Sequence, residues 1–271
     1  WPVDRDLILG SEGAGTVTAV GEGVTHLAVG DRVGYTLPNG AYATTRAINA
    51  GMVVKLPDAI ASDIAAAIML KGLTVAYLLT RSYQVKAGDT VLFHAAAGGV
   101  GLLAGQWMKA LGATTIGTAG GPEKCELARA NGYDHVIDYR SGDFEAEVMK
   151  ITDGAGVNAV YDSVGNDTMA KSLKCARRHG TVVNFGQSSG PFNDFQIKDL
   201  AAGSLYLTRP TLFHFATERD WLEAASADMF ARVADGTLNV SINRRAALED
   251  VASVHEALAS RRTTGCTVLT V

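Results

Sequence analysis

From Thr90 onward the chain alternates between two hydrophobic rhythms. Short apolar and β-branched runs at 90–94, 114–118, 135–139, 157–162, 181–185 and 204–208 read as strands. Helical patterns separate them. Leu103, Trp107 and Leu111 fall on one face at i, i+4 and i+8, and Gly112 ends that helix. Pro122 opens the next, which Asn131 and Gly132 stop, and helices at 143–151 and 166–175 and a short helical piece near Asp199 follow. Repeated βα units of this length predict an α/β fold, a doubly wound parallel sheet with helices on both faces.

The first third differs. Strand-like runs at 14–20, 32–35, 41–47 and 52–56 are broken by Gly21-Glu22-Gly23 and Pro38-Asn39-Gly40, predicting a small β-barrel or sandwich. Helical texture begins near Ser62 and runs towards Leu79. After Arg209 and Pro210, helices at 220–234 and 247–260 precede a last strand at 266–271. The early β region is its natural partner, which would return both chain ends to one domain. Three segments are expected: 1–71, 72–209 and 210–271.

Composition narrows the class. With 271 residues, 47% of them hydrophobic, the chain can bury one large core or two smaller ones. A net charge of −4 leaves no basic excess, and Arg177-Arg178, Arg244-Arg245 and Arg261-Arg262 are isolated pairs, which argues against a nucleic-acid partner. Cys125, Cys175 and Cys266 are too few and too far apart for a disulfide framework, which suits the cytoplasm. The start is not a signal peptide and has no initiator Met, as expected of a fragment or a processed chain. Residues 90–108 carry no formal charge, yet His94, Gln106 and four glycines argue for strand, turn and buried helix, not a membrane span.

The strongest motif is His94-Ala-Ala-Ala-Gly98-Gly99-Val100-Gly101, a dinucleotide fingerprint with Ala96 at its first position. Gly98 would let the backbone approach a pyrophosphate, Gly101 would let the helix pack on the strand, and the helix N-terminus would offer free N–H groups. The residues that would carry an NAD-binding carboxylate read Ile116-Gly117-Thr118-Ala119-Gly120-Gly121, and Lys124 follows in the next helix. A cation replacing a carboxylate points to a 2′-phosphate, hence to NADPH. Tyr139, ending the next strand, would cover the adenine side. Lys124 paired with Glu123 or Glu126 at the surface is the plainer alternative.

No HExxH is present, and His26, His94, His135, His179, His214 and His255 are scattered, so no metal site is expected. A metal-free nicotinamide enzyme suits conjugated acceptors such as quinones or enones. Tyr35, Tyr42, Phe213 and Phe215 are candidates to line a flat apolar slot. Gly186-Gln187-Ser188-Ser189-Gly190 matches a hydrolase nucleophile elbow, but Pro191-Phe192-Asn193 follows where a helix should start.

Several strings in order, Gly10-Ser-Glu-Gly-Ala-Gly15, Val29-Gly-Asp-Arg-Val33, Lys71-Gly-Leu-Thr74, the glycine turn, Val160-Tyr-Asp-Ser-Val-Gly165 and Phe185-Gly186, resemble the zinc-free, zeta-crystallin-like quinone oxidoreductases of the medium-chain dehydrogenase/reductase superfamily. The resemblance covers essentially the whole chain. It implies a GroES-like catalytic domain (1–71 and 210–271), a Rossmann NADPH domain (72–209) and a homodimer. Ser11 stands near the place of a zinc ligand in metal-using relatives. By this resemblance Thr74 and Tyr77 approach the nicotinamide half, and Gly99 and Val100 hold the pyrophosphate. Gly120, Lys124 and Tyr139 hold the 2′-phosphate end. The loop Phe185, Gly186, Gln187 and Ser188 contacts ribose and nicotinamide, and Arg261 reaches the cofactor. The family ordinarily begins with a further segment that includes a substrate-side tyrosine. The chain starts after it, so an incomplete barrel and an open substrate pocket are expected. The expected activity is NADPH-dependent quinone reduction with no catalytic residue assigned. Reduction of enones or alkenals, or a non-enzymatic crystallin-like or RNA-interacting role, are the alternatives.

Overall fold

In the computed structural model of the protein, residues 7–260 and 265–271 are described. The chain divides into two compact units, Trp1–Thr74 with Leu212–Val271, and Val75–Thr211.

In the first unit β1 (Glu12–Thr16), β2 (Arg32–Thr36) and β3 (Val53–Lys55) form an antiparallel sheet in sequence order, with Glu12 opposite Thr36 and Val33 opposite Lys55. Residues 41–47 form no strand. Gly40 turns at φ +121°, and Ala41 and Tyr42 donate their N–H groups to Gly10 and Leu9 carbonyls at 3.1 and 2.9 Å, so this segment folds back as a loop. Helix α1 (Ser62–Tyr77) continues into a π-helical turn, Leu78–Ser82. The run Ser62–Ser82 is long and apolar enough to cross a bilayer, but 67% of its apolar window is buried inside the protein, as in a core helix.

The second unit carries β4 (Thr90–Phe93), α2 (Gly99–Ala110), β5 (Thr114–Ala119), α3 (Pro122–Ala130), β6 (His135–Asp138) and α4 (Phe144–Ile151). It continues through β7 (Val157–Asp162), α5 (Met169–Cys175), β8 (Ala176–Asn184) and β9 (Tyr206–Thr208). All strand pairs are parallel, in the order β6-β5-β4-β7-β8-β9. The order reverses between β4 and β7, the switch point at which doubly wound sheets bind ligands. Leu92, Ile116, Ile137, Val160 and Val182 share a core with Phe144 and Val148 of α4 and Met169 and Leu173 of α5. The alternate positions Val91, Phe93, Ala159, Tyr161 and Val183 are at most 1% exposed as well. Burial on both faces explains the continuous apolar runs, and each large side chain so buried contributes about 1.5–3 kcal/mol.

The chain then forms α6 (Leu212–Ala216), α7 (Arg219–Ala234), β10 (Ile242–Ala247), α8 (Val251–Ala259) and β11 (Cys266–Thr270). Among the described residues the last strand does not pair with the early β region. It runs parallel to β10, with Arg245 opposite Val268 and Ala246 opposite Leu269. The sequence Ile-Asn-Arg-Arg-Ala-Ala hides β10, because its three middle residues are exposed and leave no apolar alternation.

Candidate cofactor and active site

The site is assembled where the parallel strands end. Beyond Phe93 the chain turns through Ala95, at φ +55°, into Gly98, the extended N-cap of α2. The first bond into α2 runs from Leu102 N–H to the Gly98 carbonyl at 2.9 Å, so the amides of Gly99 and Val100 precede it and are available to an anion. A Cβ on Gly101 would lie 2.4 Å from the Ala95 carbonyl oxygen, and one on Gly98 3.1 Å from the same atom. Gly101 is thus the position that no other residue can fill while the turn keeps its shape.

A second glycine turn follows β5. A Cβ on Gly120 would fall 2.5 Å from the Tyr139 hydroxyl and 3.2 Å from Arg140 Nε, and one on Gly121 would fall 3.2 Å from Arg140 Nη1. The two glycines leave a cradle edged by a phenol and a guanidinium. Asp138 Oδ1 accepts from Gly121 N–H and from Arg140 N–H, both at 3.0 Å. These two amide bonds hold its carboxyl below the usual range and fix Arg140 against the turn. Lys124 is half-buried in the first turn of α3. Its expected partner Glu126 is taken by Arg129, and among the described residues neither Lys124 nor Arg140 has a carboxylate at ion-pair distance. Arg140 went unnoticed in the sequence because a lone arginine after a strand looks like solvated surface; its place directly after Tyr139 was the available signal.

The loop after β8 is the third component. Phe185 packs on Phe93 with ring centroids 5.5 Å apart, and a Cβ on Gly186 would meet the Ser163 carbonyl oxygen at 2.6 Å. Ser188 N–H and Ser189 N–H donate to the carbonyls of Ser163 and Val164 at 3.1 and 2.9 Å. Gln187 and Ser188 are exposed. Ser188 leads into coil, with the next helical turn at Ile197–Leu200, so it does not sit on a strand-to-helix elbow.

Gly98, Gly99, Val100, Gly120, Lys124, Tyr139 and the 185–188 loop therefore gather at one end of one sheet. Thr74 and Tyr77 lie one turn apart near the end of α1. Thr74 is 9% exposed and donates its hydroxyl to the Leu70 carbonyl at 2.7 Å. Tyr77 is buried, which pushes its phenol up to about 12 against the opposing Arg209 charge. Arg261 lies outside the described residues. Among the described residues no group of three or more His, Cys, Asp or Glu side chains is close enough to hold a metal ion. Ser11 instead donates to Asn39 Oδ1 at 2.6 Å.

Comparison with known proteins accords with this geometry. The alcohol dehydrogenase GroES-like domain matches residues 1–58, and the zinc-binding dehydrogenase family matches residues 99–227. These two parts in one chain define a medium-chain dehydrogenase/reductase. A quinone oxidoreductase of Pseudomonas aeruginosa is 49% identical over 96% of this chain and 81% of its own length. The crystal structure of Escherichia coli quinone oxidoreductase complexed with NADPH superposes with a TM-score of 0.95 at 44% identity, covering all (100%) of this chain and 84% of that one. A 2-haloacrylate reductase of Burkholderia is 41% identical over 97% of this chain and 80% of its own. The chain belongs to the quinone oxidoreductase family.

Proposed function

We propose that the protein is an NADPH-dependent quinone reductase that transfers a hydride, or single electrons, to a quinone without a metal. The observation that carries this reading is the cradle after β5. Gly120 and Gly121 open a space beside the Tyr139 hydroxyl, with the cations Lys124 and Arg140 near it, neither of which forms a salt bridge with a carboxylate among the described residues. That donor set fits a 2′-phosphate and not a bare ribose. Gly99 and Val100 would hold the pyrophosphate with backbone amides, which are indifferent to the 2′ position, and Gly98, whose own N–H donates to the Ala95 carbonyl at 2.9 Å, would let the backbone approach it. Thr74, Tyr77 and the 185–188 loop would orient the nicotinamide half, and Arg261 would add a cation to the cofactor. The bound cofactor supplies the hydride; the protein's own contribution is to bind and orient it.

In this reading residues 72–209 form the cofactor domain, and 1–71 with 210–271 the catalytic domain. The protein works as a cytoplasmic homodimer with no nucleic-acid partner. Three free cysteines support the reducing compartment, and the edge strand β9, with Tyr206 exposed, supports self-association. The 2-haloacrylate reductase relative favours one second reading, reduction of an activated carbon–carbon double bond on the same scaffold.

Oxidation of NADPH and of NADH, each followed with a panel of small quinones and of enones, tests both. Quinone turnover with NADPH preferred supports the proposal. A higher rate on enones supports the second reading, and preference for NADH contradicts the cofactor assignment.

A further inference from the structure

His94 follows β4 directly, at the point where the chain leaves the sheet for the glycine turn. Its Nδ1 lies 2.9 Å from Thr118 Oγ1 on β5, and its Nε2 lies 3.0 Å from Ser172 Oγ on α5. Ser172 Oγ donates to Asp162 Oδ2 at 2.7 Å. Asp162 ends β7, and its Oδ1 accepts from Val164 N–H, Gly165 N–H and Thr168 Oγ1 at 2.8, 3.0 and 2.9 Å. His94, Thr118, Asp162 and Ser172 are all at most 2% exposed.

The protons in this chain follow by elimination. A carboxylate only accepts, so Ser172 spends its single hydroxyl hydrogen on Asp162. His94 must then donate from Nε2; in the neutral imidazole its Nδ1 accepts, and Thr118 is the donor to it. Hydrogen bonds thus run one way, from Thr118 through His94 and Ser172 to Asp162. Each strand end they tie together opens into a cofactor loop. Thr118 precedes the Gly120 cradle, His94 precedes the Gly98 turn, and Asp162 organises the 163–165 turn on which Ser188 and Ser189 hang. Ser189 Oγ adds a bond to the Val164 carbonyl at 2.8 Å.

We propose that His94 is a positioning residue which, through Ser172 and Asp162, keeps the pyrophosphate turn in register with the nicotinamide-side loop. The proposal rests on the cofactor reading above, but its first test needs no cofactor. Imidazole nitrogen NMR on the whole protein should show His94 neutral at pH 7 and protonated on Nε2. In Asp162→Asn the amide nitrogen would face Ser172 and reverse every bond, so His94 should change to the Nδ1-protonated form. An Nδ1-protonated or doubly protonated His94 in the wild type overturns the proposal.

The second test is binding. Ser172→Ala should weaken NADPH and NADH alike by about tenfold, because it strands two buried polar atoms and unlinks the loops. Val148→Ala, a core truncation in α4, should lower the thermal midpoint at least as much and leave both affinities within about twofold. Thr118→Val, which keeps the shape and removes the donor, carries the same test should Ser172→Ala not fold. Unchanged affinity in the folded relay variant overturns the proposal. Failure of the wild type to prefer NADPH overturns the cofactor reading and leaves the tautomer result standing.

Discussion

The two glycine turns of the cofactor unit look alike in sequence and are built for different reasons. After β4, Gly101 is required by backbone: a side chain there would strike the Ala95 and Ala96 carbonyl oxygens at 2.4 and 2.6 Å. After β5, Gly120 is required by side chains, the Tyr139 phenol and the Arg140 guanidinium. The first turn offers amides and a helix dipole, which serve any dinucleotide. The second offers charge, which serves only a nucleotide that carries an extra phosphate there. On the proposed reading, binding and discrimination are held by separate loops.

Substitutions should separate them. Gly101→Ala should have the largest effect, with overpacking costing about 1–3 kcal/mol or more and binding of NADPH and NADH both lost; thermal unfolding and calorimetry would measure it. Should only NADPH binding suffer, the division between the turns fails. Lys124→Ala should weaken NADPH by about 10- to 100-fold, a lost charge-assisted bond of ~1.5–3 kcal/mol, with NADH unchanged. Arg140→Ala, at an exposed cation, should cost NADPH only about two- to fivefold and should lose that effect at high salt. A loss that persists at 1 M salt, where the Debye length is about 3 Å, would mean that Arg140 acts by packing and not by charge.

The smallest effect concerns pH. Burial lowers the His94 imidazole below its ordinary value, outweighing the attraction of Asp162 at 3.9 Å. The folded state therefore resists protonation that the unfolded chain accepts. The stability tied to a neutral His94 is fully present above about pH 6.5 and is lost as pH falls below it. The thermal midpoint should drop between pH 6.5 and 5 more steeply than in His94→Gln; equal slopes would remove His94 as the cause.

What could be read from sequence follows the same physics. Strands β4, β5 and β7 were plain because both their faces are buried, which favours runs of apolar and β-branched residues. The two glycine turns and Lys124 were plain because steric and charge demands leave few residue choices. Strand β10 was hidden by its exposed Asn243, Arg244 and Arg245, and the loop at 41–47 mimicked a strand because Ala and Thr fit both. Arg140 and the Thr118–His94–Ser172–Asp162 chain were hidden for another reason. Each depends on residues distant in sequence that only the parallel sheet brings to one edge, and a single histidine before a glycine turn reads as ordinary core.

On the proposed reading the turn after β5, and not the turn after β4, selects the cofactor. Calorimetric affinities for NADPH and NADH, measured on the wild type and on the Lys124→Ala/Arg140→Ala double variant, test it most directly. The wild type should favour NADPH by at least about tenfold, and the double variant should bind both at the wild-type NADH affinity. A wild type indifferent to the 2′-phosphate, or a double variant that keeps the preference, would contradict the account.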